Sequence, residues 1–233
     1  MKQETTETRT IQRVAQRPRD VVYRFLKRQI LLNDLPPNAP LTELGVAQDM
    51  GCSQGTVREA LLLLQEDGLV LRSGHRGTAV TPLDAETAAA MLALRRQIET
   101  QAAPRMVARS TPDIVRRLAE IIDEMMGHAE AGDEFGLIEA DISFHMTMFR
   151  LAGYQAMEPI LNRVMLHTHR QKLWEPRHRR SLRETAARHQ ALVAALARDG
   201  AALADALGEH IDTIVDVTSP ELAAPRPRAR TLI

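Results

Sequence analysis

The chain has 233 residues, 44% of them hydrophobic and 26% charged, which gives enough apolar content for packed cores and a length that suits two ordinary domains. Its 30 Lys+Arg balance 30 Asp+Glu, so no uniformly basic nucleic-acid coat is present. The single cysteine, Cys52, excludes an intramolecular disulfide, and no apolar run approaches the ~18 residues of a membrane span. The polar N-terminus lacks the apolar stretch of a secretory signal, and the expected location is the cytoplasm.

Residues 1–16 are polar and charge-mixed and are expected to be disordered. From Val21 to Leu32, apolar Val22, Phe25, Leu26 and Ile30 recur on one helical face, which leaves Arg24, Lys27 and Arg28 exposed. Leu44, Val46 and Ala47 mark a short amphipathic helix, and Gly51-Cys52-Ser53 a tight break. Thr56 to Gln65 forms a second helix with Val57, Ala60, Leu61 and Leu64 on one side. Ser53 suits the N-cap of that helix because its hydroxyl can accept an otherwise unsatisfied amide, and Gly68 can close it at positive φ. Leu69-Val70-Leu71 and Thr78-Ala79-Val80 then predict two strands around the basic tip Arg72-Ser73-Gly74-His75-Arg76-Gly77. Over residues 17–82 this is a winged helix-turn-helix, whose second helix enters a DNA major groove while the hairpin tip follows the backbone or minor groove. Cys52 fills the turn as a small apolar residue.

Thr81-Pro82-Leu83-Asp84 reads as a linker, since Pro82 cannot continue a strand ladder and Asp84 can cap a helix. Beyond it only helical patterns follow, at about 85–109, 112–131, 134–152, 157–174, 181–198 and 201–217, with a kink expected at Pro104. The fold class is therefore mainly α: a winged helix-turn-helix followed, over 83–218, by an antiparallel bundle of about six helices. The tail 219–233, with Pro220, Pro225 and Pro227 among Arg and Ala, is expected to be disordered.

Within the bundle, Asp141 and His145 stand at i and i+4 and so project from one face. His189 and His210, each near an apolar neighbour (Leu192, Ile211), point inward by the same periodicity. One carboxylate and three imidazoles form a donor set for Zn, Ni, Mn or Fe, yet spacing alone equally describes surface groups or hydrogen-bonded core groups.

Two stretches resemble known families. Val57-Arg58-Glu59-Ala60-Leu61, Leu64, Asp67-Gly68-Leu69-Val70 and Arg76-Gly77 are similar to the signature of the GntR superfamily of bacterial transcription regulators, over roughly residues 18–82. The resemblance implies a homodimer on a near-palindromic double-stranded DNA operator. Ser53, Gln54, Thr56 and Arg58 would meet it from the recognition helix, and Gly74, His75 and Arg76 from the wing. Gln54 stands where the family usually has a base-reading Arg, and Leu44 where another Arg is common, so the operator is expected to differ from the commonest one. Further on, Asp141-x-x-Phe144-His145, His189, Ala204 and His210-Ile211, with Leu94-Arg95 and Ile98-Glu99 earlier, resemble the FCD ligand-binding domain of the FadR branch. That resemblance implies one divalent metal per chain, zinc first among the candidates, on Asp141, His145, His189 and His210. It also implies a small organic or sugar acid held beside the metal, with Arg95 as its clamp. Tyr154 in place of an Asn, and Asp199-Gly200 in reversed order, depart from the pattern in turns.

The expected function is a metabolite-responsive repressor rather than an enzyme. Two alternatives stand beside it: a metalloenzyme using Glu139 or Glu184, which lie near the metal candidates in sequence, and a regulator sensing the metal itself. Arg150, Arg163, His167, His169, Arg170 and Trp174 are further pocket candidates.

Overall fold

A computed structural model of the chain describes residues 17–72, 77–174 and 180–214, the side chains of Leu173 and Trp174 excepted. The N-terminal unit begins with α1 (Pro18–Leu31), three residues earlier than the apolar pattern suggests, because Pro18 occupies the first helical turn, where its missing N–H costs nothing. Val22, Leu26, Ile30 and Leu31 are buried. Next come β1 (Pro40–Leu41), α2 (Glu43–Met50) and α3 (Gln54–Glu66). Thr42 and Ser53 cap the two helices by accepting the amides of Gly45 and Thr56. Between them the chain turns at Gly51, which adopts φ +61°. Val57, Ala60, Leu61 and Leu64 are fully buried, as the helical spacing predicts.

The wing is β2 (Val70–Arg72) and β3 (Thr78–Val80), antiparallel, with Leu71 opposite Ala79. The sequence reading expected only these two strands, whereas the sheet has three in the order β1-β3-β2, Pro40 pairing with Ala79 and Leu41 with Thr78. Gly74, His75 and Arg76 of the wing tip lie outside the described residues, as do 1–16 and 215–233, where disorder was expected.

The second unit is helical: α4 (Ala85–Ala108), α5 (Pro112–Glu130), α6 (Glu134–Arg150), a 3₁₀ turn at Gln155–Met157, α7 (Glu158–Trp174), α8 (Leu182–Ala187), α9 (His189–Leu196) and α10 (Gly200–Asp212). Asp84 caps α4, its carboxylate accepting the Thr87 amide at 2.6 Å. That helix continues through Pro104 and packs chiefly against α10. The approach is so close that a Cβ on Gly200 would lie 2.7 Å from the Pro104 Cα, so only glycine fits at the start of α10. One expectation needs correction. The helix expected over 181–198 is two, α8 and α9, divided at Arg188, where the His189 ring reaches back to the carbonyls of Thr185 and Ala186 and competes with the helical amides for them. The last helix ends at Asp212, and 215–217 of its expected span lie outside the described residues.

The winged helix sits on α6 and α7. Arg24 and Lys27 of α1 meet Glu139 at 2.7 and 3.8 Å, and Arg28 meets Asp133 at 3.5 Å. Asp67, just past α3, accepts from Tyr23 at 2.5 Å and from Asn162 at 3.0 Å. Arg170 donates to the carbonyl of Thr81 at 2.9 Å, which ties α7 to the linker.

Candidate metal and anion centre

Three elements bring the quartet together. Asp141 and His145 leave one face of α6, His189 opens α9 and His210 lies in the last turn of α10. Their ligating atoms all lie within 4.8 Å of one another, and all four side chains are buried. The imidazole centroids are 4.6 Å apart for His189–His210 and 5.1 Å for His145–His210, and the Phe144 ring closes one side, edge-on to His145 and His189.

Two rings are oriented from behind. The Nδ1 of His189 donates to the carbonyls of Thr185 and Ala186 at 3.1 and 3.2 Å, and the Nδ1 of His145 lies 2.6 Å from Glu99 Oε2. In both cases the hydrogen on Nδ1 is engaged from behind and Nε2 is turned toward the centre. Both Nε2 atoms are buried and lack a hydrogen-bond partner among the described residues. His189 Nε2 is 3.1 Å from Asp141 Oδ1, within ion-pair distance but without hydrogen-bond geometry. Burial pushes the His210 imidazole well below the ordinary histidine range, and the neighbouring His189 and His145 push it the same way. Burial lowers His145 too, although Glu99 opposes the shift. Burial alone would raise the Asp141 carboxyl, but His169, at 3.0 Å from Oδ2, and then His189 hold it well below the usual carboxylate range. Imidazoles lowered at His145 and His210 beside an ionised Asp141 suit a divalent cation, and orphaned buried nitrogens are what it would satisfy, so these residues fit a metal.

Next to the quartet is a cationic group. Arg95 is fully buried, its Nε donates to Glu99 Oε1 at 2.7 Å, and its Nη1 and Nη2 have no partner among the described residues. Burial would raise the Glu99 carboxyl, but His145 and Arg95, one hydrogen-bonded to each oxygen, override it and lower it to about 2. Glu99 is the functional candidate that sequence reasoning passed over as part of a pattern match. Its signal was the i, i+4 spacing from Arg95, which on an exposed helix means only a solvated pair.

The other candidates scatter. His169 joins the centre through Asp141, and a small cavity of about 20 Å³ lies beside it, lined also by Lys172 and Arg180. His167 and Arg170 lie beside each other (3.3 Å) where α7 meets the winged helix, and Arg163 donates there to the carbonyl of Glu66. Arg150 pairs with Glu158 on the surface, and the Trp174 side chain lies outside the described residues. Glu139 is taken up by Arg24 and Lys27, and Glu184 completes a capping box with Ser181, so neither serves the centre as a proton-transfer group.

In the winged helix, Ser53, Gln54 and Arg58 are exposed and Thr56 half-buried at the start of α3. The Ser53 and Thr56 hydroxyls are 2.9 Å apart. Arg58 is held by Glu43 of α2 through contacts of 3.1, 3.1 and 2.7 Å, and Arg72 of the wing reaches the same carboxylate at 3.3 Å.

Comparison with known proteins agrees with both halves. The profile of bacterial regulatory proteins of the gntR family matches residues 18–80, and that of the FCD domain residues 90–213. An uncharacterized HTH-type transcriptional regulator in an unstable DNA locus of Streptomyces ambofaciens is 31% identical over 134 residues, 57% of this chain and 56% of that protein. The match thus spans little more than half of that relative's length. The HTH-type transcriptional repressor RspR of Escherichia coli K12 is 25% identical over 194 residues, 83% of this chain and 85% of that one. Among solved structures, E. coli McbR/YncC has the same fold, with a TM-score of 0.69 at 23% identity over 84% of this chain and 94% of that chain. From the winged helix through the buried quartet, the chain belongs to the gntR family of bacterial regulatory proteins, in the group that carries an FCD domain.

Proposed function

We propose that the chain is a metabolite-responsive transcription regulator, a repressor acting as a homodimer on a near-palindromic operator in the cytoplasm. A small organic or sugar acid, bound beside a divalent metal on Asp141, His145, His189 and His210, would change its operator affinity. The observation that carries this reading is the placement of Arg95. A buried guanidinium with two nitrogens unsatisfied is costly unless an anion completes it, and this one lies one carboxylate away from a buried three-imidazole donor set. When bound, the metal supplies a Lewis-acidic centre to which a carboxylate can add as ligand, and zinc leads the candidates for this donor set. This chain's own residues do the rest. Arg95 offers two N–H groups to a carboxylate, Phe144 excludes water on one side, and Glu99 and the Thr185 and Ala186 carbonyls keep the imidazole lone pairs turned inward. Two-fold protein symmetry requires a two-fold operator, because one recognition helix reads only a few base pairs.

The metalloenzyme alternative loses its support, since Glu139 and Glu184 are engaged elsewhere. A regulator that senses the metal itself is separated from the acid-sensing one by experiment. Purified protein should carry about one divalent metal per chain, removed by the double substitution His189→Ala, His210→Ala; full occupancy of that variant by elemental analysis would defeat the assignment. Small carboxylates should raise the unfolding temperature of the loaded protein, and the stabilising acid should bind more weakly in calorimetry when operator DNA is saturating, by the same factor by which it weakens DNA binding. Equal affinities with and without DNA would leave the acid without a regulatory role, and an operator shift that follows metal alone would make the metal the signal.

A further inference from the structure

Glu99 belongs neither to the metal-donor set nor to the anion clamp, yet it touches one member of each. Its Oε1 accepts from Arg95 Nε at 2.7 Å and its Oε2 lies 2.6 Å from His145 Nδ1, with all three side chains at 0% exposure. An ionised carboxylate only accepts hydrogen bonds, so His145 must carry its hydrogen on Nδ1 and keep the Nε2 lone pair for a ligand. Arg95 is gripped through Nε alone, which leaves Nη1 and Nη2 free of Glu99. As a stabilising device this is a poor arrangement. A buried ion pair gains little over apolar side chains of the same volume, and two unsatisfied N–H groups add to its cost.

We infer that Glu99 is a positioning residue that fixes the tautomer of His145 and the aim of Arg95 at once, so that the metal and the acid's carboxylate are held through one shared buried group. The inference rests on the metal-and-acid reading above and adds to it a residue that touches neither ligand and yet governs both. The chemistry makes it sharp. Two donors, Arg95 Nε–H and His145 Nδ1–H, need two acceptor oxygens, and a glutamine offers one oxygen and one N–H₂ group. In Glu99→Gln, therefore, either His145 moves its hydrogen to Nε2, where it blocks ligation, or Arg95 loses its anchor.

The test uses the full chain and three readouts. Nitrogen NMR of metal-free wild type should show His145 protonated on Nδ1. Glu99→Gln should remove the thermal stabilisation given by glycolate or gluconate, and where the His145 hydrogen has moved to Nε2 it should weaken zinc binding, measured by chelator competition, by about 10–100-fold. Glu99→Asp, which keeps two acceptor oxygens, should restore part of both. Arg95→Met should lose the carboxylate effect while keeping zinc affinity and the His145 tautomer. An Nε2-protonated His145 in wild type, a Glu99→Gln protein that keeps the carboxylate effect, or one that keeps zinc affinity with His145 protonated on Nε2, overturns the shared role. Should Glu99→Gln fail to fold, the wild-type tautomer and the split behaviour of Arg95→Met decide the matter. Wild type that binds no zinc, or zinc-loaded wild type that no carboxylate stabilises, overturns the underlying reading instead.

Discussion

Two arginine–glutamate pairs, one in each half of the molecule, share a 2.7 Å contact and little else. Arg58–Glu43 lies on the surface of the winged helix with side chains 58% and 21% exposed, whereas Arg95–Glu99 lies in the bundle at 0% and 0%. In water the attraction is screened and each ion has alternative partners, so the surface pair is worth little and, on the proposed function, Arg58 would exchange Glu43 for a phosphate or a base edge. Without water the same contact must offset the desolvation of both ions, which takes further partners: His145 is one for Glu99, and on the proposed function an anion would be another for Arg95. On the proposed function, the surface pair would be a holding position and the buried pair part of a binding site.

The comparison breaks most easily at the buried pair. Arg95→Ala should destabilise the protein by about 3–5 kcal/mol in denaturant titration, because it strands the Glu99 charge, and should remove stabilisation by any carboxylate. A loss under about 1 kcal/mol would mean that water reaches Glu99 and that the pair resembles its surface counterpart.

Next in size is a pH effect at the seam between the halves. Burial first, and then the Arg170 charge, lower His167 to about 4, against 6.5 in the unfolded chain, with Arg163 and the Gly68 backbone also nearby. Between those values the unfolded state binds more protons, so stability rises with pH across this window and is lost on acidification, by up to about 3 kcal/mol. Unfolding titrations at pH 4.5 and 7 should show a steeper difference for wild type than for His167→Gln. Equal slopes would show that His167 is solvated.

At the surface pair, Arg58→Ala should weaken specific operator binding on the order of ten- to a hundredfold and random DNA much less, with the unfolding midpoint in place. An equal loss on both DNAs would make Arg58 a phosphate contact. Gln54→Arg should move base preference from adenine toward guanine at one position per half-site. The smallest effect belongs to Glu43→Gln, which releases Arg58 and Arg72 without disturbing the core and should tighten binding to random DNA slightly, most visibly at low salt.

The same contrast explains what could be read from the chain. The winged helix was legible because local signals agree there: Val57, Ala60, Leu61 and Leu64 on one face, Ser53 as cap, Gly51 and Gly68 at positive φ. Strand β1 was not, because Pro40 and Leu41 become a strand only by pairing with β3, a contact distant in sequence. The division between α8 and α9 was hidden because nothing in the composition of 181–198 breaks a helix; a ring nitrogen bonding backward does. The quartet could be proposed from Asp141 and His145 at i and i+4 and from the resemblance. The roles of Glu99 and His169 depend on which polar groups lose water, and periodicity cannot report that.

One helix takes part in both halves. Glu139, which holds Arg24 and Lys27, and Asp141, in the buried quartet, are two residues apart on α6, which places them roughly 200° apart around its axis. They therefore face almost opposite ways from a common shaft. Any roll of α6 that seats Asp141 more closely against a ligand must swing Glu139 the other way and carry α1 with it. On the proposed function, such a roll would pass an adjustment at the ligand site to the base of the winged helix.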